Sequence, residues 1–437
     1  MDKLPRKVCI VGMGYVGLTL AVAMAKRGFN VHGVEIDEKK LNLFKKKKSH
    51  FFEKGIESEL GYVIDNGNLT FSKIIPCNSY PIYIITVGTP LGQCKTELRL
   101  DMVKSVAKDI VEVMDSDSIV ILRSTVAVGT TRSVILPILN KKFKSPKIAF
   151  CSERTLEGKA LEEILTLPQI IGALDKDSME FAVSIFQKLA PKIVKVSSIE
   201  TAEIIKLLDN VTRDIQFGVA NEIAEICEHL NINAYEAIQA ANLGYTRTNI
   251  ALPGYVAGPC LEKDPYILDY SLRDTSFKQS IFLNVRMLHE RLQARIADRI
   301  LKWTLKNNLL INKTNVCLLG MAFKGSPETD DLRGAPSIMM VDELKKRNYT
   351  NIYGHDFLVS DNQIRNSGVT PIDIPGGLNG MHVALFMNNH PSYGKLILPE
   401  FVQKMARPTY FFDSWNMFDK DIIEALDDIT YGSIGVI

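Results

Sequence analysis

The feature that most restricts this chain lies in residues 7–35. An apolar run at Lys7–Gly12 leads into Gly12-Met13-Gly14-Tyr15-Val16-Gly17, and a helix-compatible stretch follows from Tyr15 to Arg27, closed by Gly28. Glycines at this spacing between a strand and a helix specify a dinucleotide turn: the first permits the bend, the second lets a pyrophosphate approach the backbone, and the third lets the helix pack on the strand. A second strand is expected at Val31–Glu35, which puts Glu35 18 residues after Gly17. A carboxylate there accepts from both ribose hydroxyls and repels a 2′-phosphate, so the cofactor reading is NAD rather than NADP. The competing reading is a tight structural turn with a chance acidic neighbour.

The rest of the N-terminal part alternates in the same way. Strands are expected at Ile82–Val87, Ser118–Leu122, Lys147–Cys151 and Gln169–Gly172, with helices between most of them, which predicts a parallel sheet with crossover helices. Asp37 reads as the N-cap of a helix running into the lysines at 45–48, a solvated helix face. From about Ser197 the pattern becomes helical: Ile204, Leu208, Val211, Ile215 and Val219 keep the spacing of one helix face, and a second long helix is expected from about Ser276 to Leu305. After Asn312 alternation resumes, with strands at Val316–Gly320, Asn351–His355, His382–Phe386 and Thr409–Phe412 and a helix at Ser337–Lys346. The expectation is an α/β chain of three parts: a Rossmann-type NAD-binding domain over 1–196, a central all-α section over 197–310 offering a dimer interface, and a smaller Rossmann-like domain over 311–437.

Composition agrees and removes other classes. At 437 residues there is room for about three domains. Hydrophobic residues at 46% and charged residues at 23% exclude a disordered or low-complexity chain. A net charge of +2 gives no reason to expect nucleic acid or a membrane as partner, and no apolar stretch reaches bilayer-spanning length. The basic N-terminal lead meets glycine too soon for a secretory signal. Seven cysteines (9, 77, 94, 151, 227, 260 and 317) form no CxxC pair, which argues for a reducing cytoplasm and against a disulfide framework or a metal site.

Six of these cysteines sit in apolar or helical contexts and read as packing residues. Cys260 is delivered by a Gly/Pro-rich loop, Pro253-Gly254-Tyr255-Val256-Ala257-Gly258-Pro259, and is followed by Leu261-Glu262-Lys263-Asp264-Pro265. A cysteine near a helix N-terminus and a lysine has its thiolate favoured. If the helix has begun, Asp264 shares a face with Cys260; otherwise Asp264 is its N-cap, and the context alone fits a structural cap as well as catalysis. Lys206 and Asn210, four apart on the first long helix, project together and could stabilise an oxyanion, although a surface lysine and a helix asparagine is the simpler reading. Val87-Gly88-Thr89-Pro90, Arg123-Ser124-Thr125-Val126 and the acidic Cys151-Ser152-Glu153-Arg154-Thr155-Leu156-Glu157-Gly158 all follow strands, on the ligand side of an open sheet; singly, each is as well read as an ordinary loop.

Together these segments resemble the UDP-glucose/GDP-mannose dehydrogenase family over essentially the whole chain: GMGYVG, GTP at 88–90, RSTV, SERTLEG, EIIKLLDN, GPCLEKDP and FKGSPETDDLR at 323–333. The resemblance implies oxidation of the C6 alcohol of a nucleotide sugar to a carboxylate with two NAD. Cys260 would be the nucleophile, passing through a thiohemiacetal and a thioester. Lys206 and Asn210 would stabilise the developing oxyanion, and Asp264, with Glu153 and Thr125 through ordered water, would move protons. Gly12, Gly14, Tyr15, Val16, Gly17, Glu35, Lys40, Thr89, Thr125, Glu157, Lys263 and Arg333 would contact the cofactor. Glu153, Leu156, Lys206, Asn210, Phe323 and Lys324 would line the substrate site, and Arg247 would reach the substrate pyrophosphate, often from a neighbouring subunit. The chain departs from the family in the Tyr255-Val256-Ala257 stretch and in Asp413-Ser414-Trp415-Asn416, where an arginine commonly follows the aspartate. Glu153-Arg154, Pro253-Gly254 and Asp264-Pro265-Tyr266 resemble the UDP-N-acetylhexosamine branch (N-acetylmannosamine or N-acetylglucosamine), whereas Lys263-Asp264 resembles UDP-glucose dehydrogenases. Alternatives outside the family are a single-step NAD-dependent hydroxyacid dehydrogenase and a non-catalytic NAD- or sugar-nucleotide-binding regulator.

Overall fold

A computed structural model describes residues 6–92, 95 and 97–436. The chain divides into two units, one of residues 1–209 with 266–278 and the other of residues 210–265 with 279–437; the division falls within the Ile199–Leu230 helix.

The first unit holds an eight-stranded sheet of β1 (Lys7–Val11), β2 (Asn30–Val34), β3 (Leu69–Ser72), β4 (Ile82–Ile85), β5 (Ile119–Leu122), β6 (Lys147–Cys151), β7 (Gln169–Ala173) and β8 (Ile193–Lys195), in the order β3-β2-β1-β4-β5-β6-β7-β8. The strand order reverses between β1 and β4, the switch point at which open α/β sheets bind ligands. Their continuous apolar runs are buried on both faces, as parallel strands under crossover helices require. One pairing departs from the expected parallel sheet: β6 and β7 are antiparallel. The intervening helix, Ala160–Thr166, has 7 residues. Such a helix is only about 10 Å long, too short to carry the chain back along a strand for a parallel return. The short strands β3 and β8 were not expected; both are half-exposed and give little apolar signal.

The glycine turn is packed from below and open above. Gly12 has φ 98°, and a Cβ on it would lie 2.8 Å from Val87 Cγ1. A Cβ on Gly17 would lie 1.9 Å from the Gly12 carbonyl oxygen and 2.7 Å from Thr86 Oγ1, while one on Gly14 would meet nothing within 4 Å. Thr86 donates its hydroxyl to the Gly12 carbonyl at 2.7 Å, tying β4 to the turn.

Between residues 199 and 306 the described structure is helical or irregular: Ile199–Leu230, Ala234–Asn242, Asp264–Ser271 and Ile281–Lys306. Here the expected apolar stripe is corrected. Val211 is buried, but Leu208 is 40% and Val219 45% exposed, with Ile226 and Leu230 further along the same open side. The helix buries Glu203, Lys206, Asn210, Asp214 and Asn221 alongside Ala202, Leu207, Ala220 and Ala224. The lysines at 45–48 lie at and beyond the end of the Glu38–Lys45 helix rather than along its face, and Lys47 and Lys48 pair with Asp65 and Glu57.

The second unit holds a six-stranded, wholly parallel sheet of β9 (Asn315–Leu319), β10 (Asn351–His355), β11 (Thr370–Pro371), β12 (Val383–Phe386), β13 (Thr409–Asp413) and β14 (Ile429–Ser433), ordered β11-β10-β9-β12-β13-β14. Its switch point lies between β9 and β12, where Gly320 passes so close to Asn388 that a Cβ would sit 2.4 Å from Oδ1. The two-residue β11 and terminal β14 were not expected.

The turn geometry separates two glycines that the motif treats alike. Gly17→Ala is expected to lower unfolding free energy by about 2 kcal/mol, because the clash is with backbone that cannot move aside. Gly14→Ala is expected to leave stability within about 1 kcal/mol while weakening NADH binding, because its Cβ would occupy the space a pyrophosphate needs. Urea melts and NADH fluorescence titration check both; equal stability losses would contradict the assignment.

Candidate functional site

In the first unit, the ligand side of β1, β2, β4, β5 and β6 gathers most of the expected cofactor residues. Gly14 caps the Tyr15–Lys26 helix without a side chain, and that first turn carries no acid, so its amides and dipole face outward uncompensated. Glu35, just past β2, is 6% exposed and accepts from the Asp37 amide at 3.0 Å; Lys40 approaches its other oxygen at 3.5 Å. The loops after β4 and β5 are tied together, Thr89 donating to the Thr125 carbonyl at 2.5 Å and Ser124 to the Val87 carbonyl at 2.7 Å. An unobstructed second glycine, open helix amides and a held carboxylate beside β2 are what NAD requires, and these residues fit it.

Tyr15 is engaged more closely than the motif suggests. Its hydroxyl bonds the Glu53 carboxylate, and the Gly158 amide donates to both, at 2.9 Å to Tyr15 and 2.8 Å to Glu53. Burial, then Glu53, pushes the Tyr15 phenol well above its usual range. Glu53 thus links the glycine turn to the acidic loop, a role that a lone glutamate in a loop did not announce.

Glu153 is buried beside Arg123, which donates to one oxygen at 3.0 and 2.6 Å, while the Thr155 amide donates to the other at 2.6 Å. Burial alone would raise its carboxyl, but Arg123, Thr155 and the charge of Lys206 outweigh it and hold Glu153 below the usual range. Leu156 and Glu157 lie half-buried in the same loop, and Leu156 donates its amide to Glu163. Lys206 is 8% exposed, so the simpler reading of a surface lysine is set aside.

The helix after Cys260 begins at Asp264, which corrects the N-cap alternative. The turn is already formed: the Asp264 amide donates to the Cys260 carbonyl at 3.0 Å. Asp264 is fully buried, accepts from Asn210 Nδ2 at 2.5 Å and pairs with Lys263 at 3.1 Å. Burial would lower the Lys263 ammonium, but Asp264 and Cys260 raise it further, so it stays charged. Cys260 itself is exposed. By contrast, burial pushes the Cys9 and Cys151 thiols up to about 12, as packing residues require. Cys227 and Cys317 are also buried; Cys77 is exposed, against expectation, and Cys94 lies outside the described residues.

The segment after β9 meets the cysteine loop. Gly258, φ 104°, sits against Phe323, where a Cβ would lie 2.6 Å from the ring, and its amide donates to the Gly334 carbonyl at 3.0 Å. Lys324 lies over the Phe323 ring at 5.4 Å, and Arg333 pairs with Asp331 at 2.5 Å. Arg247 stacks on Tyr245 in an exposed stretch. Trp415 packs on Gly254, where a Cβ would be 2.8 Å from the ring. Asp413 is buried and accepts from the Trp415 and Phe418 amides; burial pushes its carboxyl up to about 6 against those bonds. It is a structural cap of that turn.

Residues 6–190 match the NAD-binding domain of the UDP-glucose/GDP-mannose dehydrogenase family, 200–291 its central domain and 317–420 its UDP-binding domain. A UDP-N-acetyl-D-mannosamine dehydrogenase of Methanococcus vannielii is 32% identical over 347 residues, 78% of each chain. A UDP-N-acetyl-D-glucosamine 6-dehydrogenase of Pseudomonas aeruginosa is 26% identical over 95% of this chain and 98% of its own. The solved UDP-D-ManNAc dehydrogenase of Pyrococcus horikoshii superposes with a TM-score of 0.87 at 25% identity, covering 98% of this chain and 99% of that one. Among the described residues no helix is long and apolar enough to cross a membrane. The chain therefore belongs to the UDP-glucose/GDP-mannose dehydrogenase family, as an NAD-dependent oxidoreductase carrying that family's NAD-binding, central and UDP-binding domains in order.

Proposed function

We propose that the chain oxidises the C6 hydroxyl of a UDP-N-acetylhexosamine to the uronic acid in two successive two-electron steps, with Cys260 as the covalent nucleophile. The observation that carries this reading is an exposed Cys260 on a turn whose next helical residue, Asp264, is wholly buried and bonded to Asn210 and Lys263. NAD, when bound, supplies the hydride acceptor. Gly12, Gly14, Tyr15, Val16, Gly17, Glu35, Lys40, Thr89, Thr125, Glu157, Lys263 and Arg333 are the residues proposed to hold it.

The Cys260 thiolate adds to the C6 aldehyde to form a thiohemiacetal. Oxidation gives a thioester, and water then releases the carboxylate and restores the thiol. Lys206 and Asn210 stabilise the oxyanion at each stage. Asp264 is the proton carrier. Glu153, held below the usual carboxylate range beside Arg123, is better suited to orienting water with Thr125 than to taking the proton itself. Leu156, Phe323 and Lys324 line the sugar nucleotide. Arg247, exposed and away from any buried cluster of its own, serves the pyrophosphate of a neighbouring subunit's substrate.

The N-acetylated branch is supported by the names of the relatives above and by Glu153-Arg154 and Asp264-Pro265-Tyr266. A homodimer is supported by the open apolar side of the Ile199–Leu230 helix, which a second copy would cover. A single-step hydroxyacid dehydrogenase would have no use for Cys260, and a regulator would have none for Cys260, Lys206, Asn210 and Asp264 together.

Two NADH are expected per sugar consumed, and Cys260→Ser should cut turnover by roughly 10³-fold or more. A ratio of one with an aldehyde or ketone product, or full activity in Cys260→Ser, would end the reading. In the same assay UDP-N-acetylmannosamine or UDP-N-acetylglucosamine should exceed UDP-glucose in kcat/KM by about tenfold or more, an N-acetyl group being worth at least one buried polar contact; parity would remove the branch assignment. Sedimentation should give twice the 48.9 kDa chain mass or a multiple of it, and a monomer would contradict the covered face.

A further inference from the structure

The loop that delivers Cys260 forms neither strand nor helix from residue 251 to 257, yet Gly254, Tyr255 and Val256 are buried. Buried backbone groups need hydrogen-bond partners. For Gly254 and Val256 they come from side chains of the two long helices. Asn221, on the Ile199–Leu230 helix, takes both polar groups of Gly254: its amide nitrogen donates to the carbonyl at 2.9 Å and its oxygen accepts from the Gly254 amide at 2.9 Å. Arg286, on the Ile281–Lys306 helix, is 1% exposed and donates to the carbonyls of Val256 at 3.1 Å and Leu261 at 3.3 Å.

Those two carbonyls bracket the nucleophile, Leu261 being the residue directly after Cys260. The guanidinium charge is met by Asp214, itself 1% exposed, at 3.0 Å. His289 completes the cluster, its Nδ1 paired with Asn221 at 3.2 Å and its Nε2 with the Asp214 carbonyl at 3.1 Å. Burying a guanidinium and a carboxyl group together gives little net stability over apolar packing. A planar fork that spans two carbonyls does give geometry, and an ammonium cannot reproduce it.

We propose that Arg286 is a positioning residue for the oxidation: by holding the carbonyls on either side of the turn it fixes where the Cys260 sulfur stands. The proposal rests on Cys260 being the nucleophile. None of the groups in the clamp touches the reacting atoms; the clamp acts through the backbone of the loop.

The test uses the full chain with Arg286→Lys, which keeps the charge opposite Asp214 and loses the fork, and with Asn221→Ala, which releases Gly254. Turnover with the UDP-sugar and NAD is normalised to folded enzyme, and alkylation of the Cys260 peptide by iodoacetamide is followed by mass spectrometry. Arg286→Lys is expected to lower kcat by about 30-fold or more, since displacement of a reacting group by about 1 Å costs on that scale, with KM for NAD changed by less than about threefold. Its Cys260 alkylation rate should shift by about fivefold or more, with Asn221→Ala changing both quantities in the same direction but less. A variant that melts at lower temperature yet keeps kcat and alkylation within about twofold of the parent would reduce Arg286 to a structural residue and overturn the proposal. Should Arg286→Lys show no folding transition, Asn221→Ala carries the same decision. The nucleophile reading is judged separately: full turnover in Cys260→Ala would refute that reading, whereas a dead Cys260→Ala beside an unimpaired Arg286→Lys refutes the positioning role alone.

Discussion

The 2.5 Å hydrogen bond from Asn210 to Asp264 is the contact around which the candidate chemistry is arranged. It joins residues 54 apart in sequence, and both partners are buried. A carboxyl group with no exposure needs donors, and Asp264 has two, Asn210 and Lys263. Because Asp264 opens its helix and donates its own amide to the Cys260 carbonyl, fixing Asp264 also fixes the turn that presents the thiol.

The long helix works against the simplest use of hydrophobic periodicity. Its apolar residues at 204, 208, 211, 215 and 219 keep one spacing, but Leu208 and Val219 are on the open side, and the buried side mixes Leu207, Val211, Ala220 and Ala224 with Glu203, Lys206, Asn210, Asp214 and Asn221. Periodicity reports that a helix has two faces; it does not report which of them the rest of the chain covers.

The strands flanking the switch points were legible because they are short continuous apolar runs bounded by glycine, as at Val8–Gly12 and Val316–Gly320. The edge strands β3, β8 and β11 were not, since half-exposed runs of two to four residues carry almost no pattern. The antiparallel turn from β6 to β7 depends on the length of the intervening helix, which a strand count does not weigh. At the site, Cys260, Asp264, Lys206, Asn210 and the glycines stood out by motif. Glu53, Arg286, Asn221 and Asp214 did not, because a side chain whose partners are distant in sequence carries no local signature; Arg286 shares its buried face with His289 and Gln293, so not even the helix pattern singles it out.

The backbone on either side of Cys260 is bonded to Arg286 and Asp264 while the thiol itself is exposed, an arrangement that suits the covalent intermediate proposed between two oxidations. Acid quenching during turnover with the UDP-sugar and NAD, followed by peptide mass spectrometry, tests that claim most directly. The account predicts a uronoyl adduct on the Cys260 peptide that disappears with hydroxylamine, as a thioester does. Steady production of the uronic acid with Cys260 unmodified at every quench time, in an enzyme that still turns over after Cys260→Ala, would contradict it.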